Sequence, residues 1–538
     1  MNTMSTSVSY SETNAFSKLV LDYLKQAETL QPFYQWTPDF EGITKAIDAK
    51  AAHPVDRQLL VEQLRKQYAG YALTPKQEAN LDALLQPNSY TITTAHQPNI
   101  FTGPLYFIYK IVHAIKLANS LNEMLPDNKL VPVYYMGSED ADLDELGHFY
   151  VQGEKRSWQT TQTGAVGRMH TKGLEQLTQQ LEGQFAHLPF GPQMIALCRK
   201  AYEQHSNVQE ATLYLVNELF KEYGLLVVIP DNAALKKVFT PIIKKELLGN
   251  FSQPEVDKTA ALLSPHYKVQ VKGRPINLFY LSESGQRERI EQVNGKWVVE
   301  ALGLSFNESE ILQLAEDRPE LFSANVILRG LFQETILPNI VFIGGGGELA
   351  YWLELKGVFE KANVPYPVLM LRNSMLLLTE RQQQLQQKNG LNDTELFLPL
   401  QSLLDKMAQA QHGELLARAK EEQHIFEQYE RLQLAADKID ITLKAYLAAL
   451  HAQALKGLHS FEKKLQRSAR KKLGDSGRQL TTLHEQVFPA GNLQERIENF
   501  LPFYALFGPA LIQEIYEHSP ALQTDAFTIV QLPSKAEA

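Results

Sequence analysis

Three carboxylates lie within four residues at Glu139, Asp140 and Asp142, directly after an apolar run. Side chains of this type can bind a metal ion, an amine or the hydroxyls of a ribose. An acidic helix start is the simpler alternative, because negative charge is favoured at a helix N-terminus. We predict that Glu139 and Asp140 are catalytic, because the cluster follows a buried strand. Asp144 and Glu145 are interpreted as solvated.

Four consecutive glycines, Gly344–Gly347, precede Glu348. Glycine has no Cβ, so a ligand can approach the backbone closely at such a run. A sharp turn between a strand and a helix needs fewer glycines, which favours a loop that faces a ligand. Glu348 opens the following helix and is predicted to be catalytic by meeting a substrate amine. Tyr351 is a candidate for binding.

Another loop follows the apolar run at 90–95. His96 and Gln97 lie at the end of this predicted strand, where polar side chains would face a ligand. Hydrogen bonding of His96 within its own loop is an equal alternative. Thr102 and Gly103 precede a predicted helix, whose dipole and free N–H groups favour an anion. The residue order of a P-loop is absent from this segment.

Polar sets also accompany two later strands. Arg329 could bind a carboxylate or a phosphate through two parallel hydrogen bonds, and a structural salt bridge is an equal alternative. Arg372 begins a comparable polar segment after the last predicted strand. The candidates for binding a substrate or a nucleotide are therefore His96, Gln97, Thr102, Gly103, Arg329, Gln333, Asn339, Gly344, Gly345, Gly346, Gly347, Tyr351, Arg372, Asn373 and Ser374.

The composition argues against several classes of protein. The 538 residues carry a formal net charge of -9, which is unfavourable for binding nucleic acid. The single cysteine, Cys198, allows no internal disulfide and no zinc site built from several thiolates, and we predict no metal. No apolar run reaches the roughly 18–20 residues that a membrane helix needs, and the polar N-terminus lacks a signal core. We expect a cytoplasmic protein.

Short apolar segments separated by helical stretches predict the strands that position these residues. The segments are 90–95, 131–136, 225–229, 340–343 and 368–371. Such alternation is typical of an α/β fold with a Rossmann-like parallel sheet. Ligands of these sheets bind outside the carboxyl ends of the strands. The polar segments that follow the strands should therefore converge on one crevice.

Two small β insertions interrupt the predicted core. We expect a β-hairpin at about 147–170 and a β-meander at about 264–300, with turns of the meander at Gly273 and Gly295. The predicted organisation is an N-terminal helical segment at 1–88, a Rossmann-like core at 89–374, a helical coiled-coil domain at 375–480, and a C-terminal segment at 481–538 that packs back on the core.

Apolar residues from Ile425 to Leu450 alternate at spacings of four and three, which is the heptad seam of a coiled coil. The pattern predicts a long helix packed on a partner helix. The partner could come from a second copy of the chain, which would make a homodimer. An internal hairpin that uses residues 375–389 as the return helix is an equal alternative, and both could hold together.

These motifs resemble those of a known family, the cysteine-adding enzymes of bacillithiol biosynthesis. The resemblance rests on residues 94–106, 138–140, 328–334, 337–352 and 493–496, which together span nearly the whole chain. The long glycine-rich stretch is the most specific of them. The chain departs from the family at 95–97, where Ala-His-Gln stands in place of the common Gly-Gln-Gln.

The resemblance implies a Rossmann-like core and a helical coiled-coil domain that mediates dimerisation. It implies that L-cysteine is condensed with the amine of glucosaminyl-malate. Cysteine would be activated as an acyl-adenylate or acyl-phosphate near Thr102 and Gly103, with ATP or ADP as the expected nucleotide. Glu139 or Asp140 would hold an amine, and Arg329 would meet a carboxylate.

Two other functions stay open at this point. The sequence lacks a clear His-x-Gly-His or Lys-Met-Ser-Lys-Ser signature, which motivates a non-catalytic dimeric scaffold that carries a nucleotide. A nucleotidyltransferase acting on another sugar amine is the second alternative.

Overall fold

The computed structural model describes residues 3–416 and 419–533, and the chain divides into two units. Unit 1 comprises the chain up to Leu377 and again from Asn492 onward, and unit 2 comprises Leu378–Gly491. The strands are β1 (Met4–Ser9), β2 (Ser89–His96), β3 (Lys129–Met136), β4 (His148–Val151), β5 (Glu154–Ser157), β6 (Leu226–Val228), β7 (Leu278–Leu281), β8 (Arg287–Arg289), β9 (Glu291–Val293), β10 (Lys296–Val299), β11 (Leu304–Phe306), β12 (Phe322–Ala324), β13 (Asn339–Gly344), β14 (Val368–Leu371), β15 (Met375–Leu378) and β16 (Ala526–Gln531).

Helices surround these strands in unit 1 and make up most of unit 2. They are α1 (Lys18–Leu24), α2 (Phe40–Ala51), α3 (Arg57–Gln67), α4 (Pro75–Leu84), α5 (Tyr106–Met124), α6 (Leu143–Leu146), α7 (Leu174–Phe185), α8 (Gly191–Gln204), α9 (Val208–Phe220), α10 (Ala233–Gly249), α11 (Ser252–Leu263), α12 (Glu308–Asp317), α13 (Val326–Ile336), α14 (Gly346–Trp352), α15 (Lys356–Ala362), α16 (Glu380–Lys388), α17 (Leu400–Leu416), α18 (Ala419–Ile439), α19 (Leu443–Lys471), α20 (Gly474–Val487), α21 (Gln494–Ile497), α22 (Leu501–Phe507) and α23 (Ala510–Glu517).

A five-stranded parallel sheet, in the order β14-β13-β2-β3-β6, forms the centre of unit 1. The predicted α/β class and parallel sheet are therefore confirmed. Strand β2 comes first in the sequence and lies in the middle of the sheet. The chain adds β3 and β6 on one side of it, and later β13 and β14 on the other. This reversal of strand order creates a crevice at the carboxyl ends of β2 and β13, where such sheets bind ligands.

Residue types explain why the sheet is buried on both faces. The central strand β2 is rich in threonine, isoleucine and tyrosine, which suit a pleated and packed surface. Ile92 of β2 shares one apolar cluster with Ile43 of α2 and Leu117 of α5. These helices remove the sheet from water, so the strands read as almost continuous apolar runs.

The two ends of the chain meet in a second sheet, β1-β16-β15. Strand β1 is antiparallel to β16, with Met4 opposite Gln531. The first 88 residues therefore contribute to unit 1 and do not form a segment of their own. The chain rejoins unit 1 at Asn492 rather than at residue 481, because α20 continues unit 2 as far as Val487.

The first insertion is the expected hairpin of β4 and β5, with its turn at Gly153. The second insertion differs from the predicted single meander. It forms two three-stranded sheets, β12-β7-β8 and β11-β10-β9, and one outer strand of each sheet, β12 or β11, comes from beyond residue 300. Gly295 makes the expected turn between β9 and β10, whereas the turn between β7 and β8 lies at Gly285. Residues 268–274, which include Gly273, have no regular secondary structure.

Unit 2 contains the predicted coiled-coil region, but the seam is not one continuous helix. Helix α18 ends at Ile439 and α19 begins at Leu443, and the two helices pack against each other. Asp440 accepts hydrogen bonds from the N–H and the hydroxyl of Thr442 at 2.9 and 2.6 Å, which stabilises the turn between them. The heptad spacing of apolar residues continues across this turn, so the sequence pattern does not indicate that the helix is interrupted there.

The alternative in which residues 375–389 form the return helix is wrong. Met375–Leu378 is a strand of the terminal sheet, and Glu380–Lys388 is a helix that packs against α20. The partner of α18 within the chain is α19. Among the described residues, none of the helices combines the length and the apolar character that crossing a bilayer requires.

Candidate functional site

A cavity of about 730 Å³ opens at the carboxyl edge of the parallel sheet, where β2 and β13 end. Segment 15–20, which leads into α1, and segment 266–270, which follows α11, complete its wall. A glycine-rich loop, two strand ends and several arginines thus meet in one place. The predicted site residues that line the cavity are His96, Gln97, Arg329, Gly345, Gly346, Gly347, Glu348, Tyr351 and Arg372.

Glu348 forms an ion pair with Lys110 on one wall. The Lys110 Nζ lies 2.7 Å from the Glu348 Oε2, and the lysine side chain is only 1% exposed. The same oxygen accepts the Gly345 N–H at 2.8 Å, and Lys110 also donates to the Ala95 carbonyl. Burial lowers the pKa of Lys110, against the opposing effect of Glu348. The pair ties the glycine loop to the end of β2.

Asp140 forms a second charged pair, with Arg329 of α13. The Arg329 Nη1 lies 3.1 Å from the Asp140 Oδ2, and the Gln97 amide donates to the same oxygen at 3.2 Å. Burial opposes ionisation of Asp140, but the guanidinium groups of Arg329 and Arg287 hold its pKa below the usual value. A Cβ on Gly137 would lie 3.4 Å from the Arg329 Nη1, so the glycine makes room for the guanidinium.

His96 lies at the end of β2, with its ring 5.3 Å from the ring of Tyr106. Its Nε2 is buried and has no hydrogen-bond partner among the described residues. Burial lowers the pKa of His96 well below the usual value, and the nearby cations Lys110 and Arg329 lower it further. A neutral imidazole with a free nitrogen is therefore available to a ligand.

Arg372 and Arg496 add two guanidinium groups to the wall. Arg372 binds Glu495 through two hydrogen bonds of 2.7 and 3.0 Å, and it lies 5.0 Å above the ring of Tyr106. Its charge is balanced within the protein. Arg496 donates to the Ala15 carbonyl at 3.1 Å and makes no ion pair with a carboxylate in the described part of the chain. The guanidinium also lies 5.7 Å from the centre of the Phe16 ring, and no ion pair within the described residues neutralises its charge.

The four glycines serve different purposes, and none of them has a positive φ. A Cβ on Gly344 would lie 2.8 Å from the Phe342 ring, and a Cβ on Gly346 would lie 3.0 Å from Val20. These two allow close packing. A Cβ on Gly347 would meet no atom within 4 Å, so its backbone faces open space at the cavity.

Asp140 is not among the lining residues but contacts two of them, Gln97 and Arg329, whereas Glu139 lies away from the cavity. Its carboxylate pairs with Lys236 and accepts the Ser323 hydroxyl at 2.9 Å. Lys236 also lies 3.6 Å from Asp231, which binds Arg168 at 2.6 and 2.7 Å. Neighbouring residues in the sequence thus point to different places, with Asp140 beside the cavity and Glu139 in a separate ion-pair network.

Thr102 and Gly103 also lie outside the cavity lining. Thr102 is buried, and the Asn499 amide donates to the carbonyls of Phe101 and Gly103 at 2.7 and 2.6 Å. The Leu105 N–H donates to the Glu498 carbonyl at 2.8 Å. The C-terminal part of unit 1 therefore covers the start of α5, where we expected an anion.

Gln333 and Asn339 lie at the opposite edge of the sheet. Both donate to the Glu334 Oε1, at 2.8 and 2.7 Å, and Lys50 donates to the Glu334 carbonyl at 2.7 Å. The reason is directional: Asn339 begins β13, whereas the cavity lies where this strand ends. These two residues form a buried structural network and are not brought to the site.

Asn373 and Ser374 follow Arg372 but turn away from the cavity. The Asn373 amide donates to the Pro520 carbonyl at 2.8 Å, and the Ser374 carbonyl accepts the Thr528 N–H at 3.0 Å. Both residues hold the C-terminal part of unit 1 in place. Their predicted binding role is replaced by this structural one.

Several cavity residues carried no usable signal in the sequence. They come from regions far apart in the chain, and only tertiary packing brings them together. Lys110, which pairs with the cavity residue Glu348, lies about one turn into α5, and its position in the sequence does not show which way its side chain points. The residues of the wall that we did not predict include Lys18, Tyr106, Tyr135, Glu145, Tyr267, Lys268 and Arg496.

Comparison with known proteins connects this architecture to a family. The family model "Bacillithiol biosynthesis BshC, N-terminal Rossmann-like domain" matches residues 3–373, and the model "Bacillithiol biosynthesis BshC, C-terminal coiled-coil domain" matches residues 375–532. The chain belongs to the BshC family. The resemblance noted in the sequence, the Rossmann-like core and the coiled-coil domain are thereby confirmed.

Relatives in this family match along almost their whole length. A protein of Flavobacterium psychrophilum is 39% identical over 97% of this chain and 99% of its own, and one of Cytophaga hutchinsonii is 38% identical over 94% and 95%. A third, from Christiangramia forsetii, is 37% identical over 96% and 97%. Each bears the name "Putative cysteine ligase BshC".

Within the described ranges, no group of three or more histidine, cysteine, aspartate or glutamate side chains is arranged to hold a metal ion.

Proposed function

We propose that this chain is a ligase that joins L-cysteine to the amine of glucosaminyl-malate, the last step of bacillithiol biosynthesis. The observation that carries the proposal is the cavity at the carboxyl edge of the sheet, where free cationic and carboxylate groups and an open glycine backbone face the same volume. Its volume of about 730 Å³ falls in the range of roughly 300–1,000 Å³ that is typical of small-molecule sites. The name carried by the relatives supports the same chemistry.

The malate group of this acceptor carries two carboxylates, which need cationic partners. Arg329 and Arg372 are each balanced by a carboxylate of the protein. Arg496 has no such partner among the described residues and lines the cavity. We therefore assign malate recognition to Arg496 in place of Arg329, whose function becomes the positioning of Asp140 and Gln97.

Amide formation requires that the cysteine carboxylate first gain a leaving group. We propose ATP as the source of that group and place the activation inside the cavity, because the Thr102–Gly103 loop is covered by residues 498–499. Gly347 leaves the backbone accessible there. Holding an activated cysteine and the acceptor amine side by side would supply much of the rate acceleration.

The proposal is tested by deleting the gene in a bacillithiol-producing host and restoring variants. Deletion should abolish bacillithiol and cause glucosaminyl-malate to accumulate, and the wild-type gene should reverse both changes. In purified protein, Arg496→Ala should weaken binding of glucosaminyl-malate by about tenfold or more, because a hydrogen bond to a charged group contributes about 1.5–3 kcal/mol. Unchanged bacillithiol in the deletion strain would favour a scaffold, and pyrophosphate release without cysteine would favour a nucleotidyltransferase.

We also propose that unit 2 carries the contact of a homodimer. The hairpin of α18 and α19 exposes large apolar side chains, among them Leu434 at 63% and Tyr446 at 65%. Several large apolar side chains exposed on one hairpin are typical of a surface that a partner covers. Leu434→Glu should shift the molar mass measured by light scattering from that of a dimer to that of a monomer. A wild-type mass of one chain would contradict this proposal.

A further inference from the structure

Glu145 differs from the other carboxylates around the cavity because its charge has no partner. It lies in the short helix α6, directly after the acidic segment that follows β3, and its side chain lines the cavity. In the described part of the chain, no cation forms an ion pair with it and no donor hydrogen-bonds to its carboxylate. By contrast, Glu348 holds Lys110 and the Gly345 N–H, and Asp140 holds Arg329.

The surroundings of Glu145 place its carboxylate among groups that belong to the cavity. Its charge raises the pKa of the Tyr106 hydroxyl, although burial of that tyrosine has the larger effect. The Glu145 side chain is exposed at the cavity, yet partial loss of hydration raises its pKa, as do Asp142, Asp140 and Glu348, whereas Arg329 lowers it. An accessible carboxylate in such an acidic setting gains most from a positively charged ligand.

We propose that Glu145 binds the amine of the acceptor and removes a proton from it during bond formation. The inference rests on the proposed function and names a catalytic residue for it. The acceptor amine is favoured over the amino group of cysteine because it must lose protons to become an amide nitrogen, whereas the cysteine amino group is unchanged by the reaction. Arg496 and Glu145 would then bind the two oppositely charged parts of one acceptor molecule.

One carboxylate is enough to account for the protons that the acceptor amine loses in this step. The acceptor enters as an ammonium ion, and one proton passes to Glu145, which frees the nitrogen lone pair. That pair forms the C–N bond to the acyl carbon of an acyl phosphate or acyl adenylate of cysteine. The C–O bond to the phosphate breaks, its electron pair leaves with the phosphate oxygen, and that oxygen takes the second amine proton.

Titration of two protein variants with two ligands isolates the interaction between Glu145 and the acceptor amine. Wild type and Glu145→Gln are titrated at neutral pH with glucosaminyl-malate and with its N-acetylated analogue, which lacks the basic amine. Wild type should bind the free amine about tenfold more tightly than the analogue, because an ammonium–carboxylate hydrogen bond is charge-assisted. Glu145→Gln should bind both ligands alike. Asp144→Asn removes a neighbouring charge that does not line the cavity, and it should keep the wild-type preference.

Turnover tests the proton transfer separately. With cysteine, ATP and saturating glucosaminyl-malate, Glu145→Gln should lower kcat by about 10²–10⁴-fold, the usual contribution of a general base. Glu145→Asp should recover part of that loss. Wild type that binds neither ligand would contradict the proposed function. Wild type that is active, with Glu145→Gln retaining both its preference and its kcat, would overturn the role of Glu145 alone.

Discussion

The two edges of the central sheet carry similar polar residues, but these residues bind one another at one edge and line a cavity at the other. At the amino edge, Lys50, Gln333 and Asn339 all bind Glu334, and their side chains are buried. At the carboxyl edge, His96, Glu145 and Arg496 line a cavity with a nitrogen or a charge left free. At the amino edge the polar groups stabilise the fold, and at the carboxyl edge they are available to bind a ligand.

The difference follows from how a parallel sheet is connected. Helices return the chain from the carboxyl edge to the amino edge, and strand-to-helix loops diverge where the strand order reverses. A void opens at that point, between β2 and β13. No reversal opens the amino edge in the same way, so the polar groups there bind mainly one another, although the Glu334 Oε2 has no hydrogen-bond partner among the described residues and lies 3.9 Å from the Lys50 Nζ.

The largest effect should come from breaking the network at the amino edge. Lys50→Met leaves Glu334 buried without its cation, since the two side chains are 3% and 0% exposed. We expect the free energy of unfolding to fall by about 3–5 kcal/mol, with kcat per folded molecule unchanged. Denaturant titration provides the measurement. Lys45→Met, on the exposed face of the same helix, should leave the free energy of unfolding almost unchanged, because its ion pair with Glu41 is exposed to solvent. Equal losses in the two variants would contradict this expectation.

Alanine substitutions at two glycines of one loop should have effects of intermediate size that differ between the two positions. Gly344→Ala places a Cβ 2.8 Å from the Phe342 ring and should lower the free energy of unfolding by about 1–3 kcal/mol. Gly347→Ala meets no protein atom and should leave stability unchanged or raise it by up to about 1 kcal/mol, because alanine favours a helix. Its Cβ should instead weaken ligand binding. Thermal unfolding and ligand titration of the pair decide the matter, and a Gly347→Ala protein with wild-type affinity would remove this loop from the site.

The smallest effect should be a pH dependence at the amino edge. Burial raises the pKa of Glu334 above 4.5, against the opposing influence of Lys50. The folded protein therefore holds this proton more tightly than the unfolded chain, so the resulting stability is present below pH 4.5 and declines as the pH rises through the folded pKa. Glu334→Gln lacks this dependence. The free energy of unfolding of the variant relative to wild type should increase from pH 4.5 towards neutrality. A difference that does not change with pH would show that the pKa of Glu334 is not raised.

The sequence predicted the sheet well and the site only in part. Strand β14 has the predicted bounds, and the other core strands differ from prediction by at most two residues at either end, because apolar runs between helices are a local signal. Asn339 was misplaced although the signal existed, since a residue that precedes a strand lies at its amino edge. Glu145 was interpreted as solvated and is indeed exposed, but its place at the cavity was not predicted, and no role was predicted for Arg496. Neither residue lies directly at the end of a core strand, and only tertiary packing brings them to the cavity.

The central claim is that the carboxyl-edge cavity binds the acceptor. A crystal structure of the wild-type protein with glucosaminyl-malate is the most direct test of it. We expect the ligand between β2 and β13, with a malate carboxylate within about 3 Å of the Arg496 guanidinium and the amine within hydrogen-bond distance of Glu145. Ligand bound elsewhere with this cavity empty, or bound here with its amine directed away from Glu145 and its malate away from Arg496, would contradict the account.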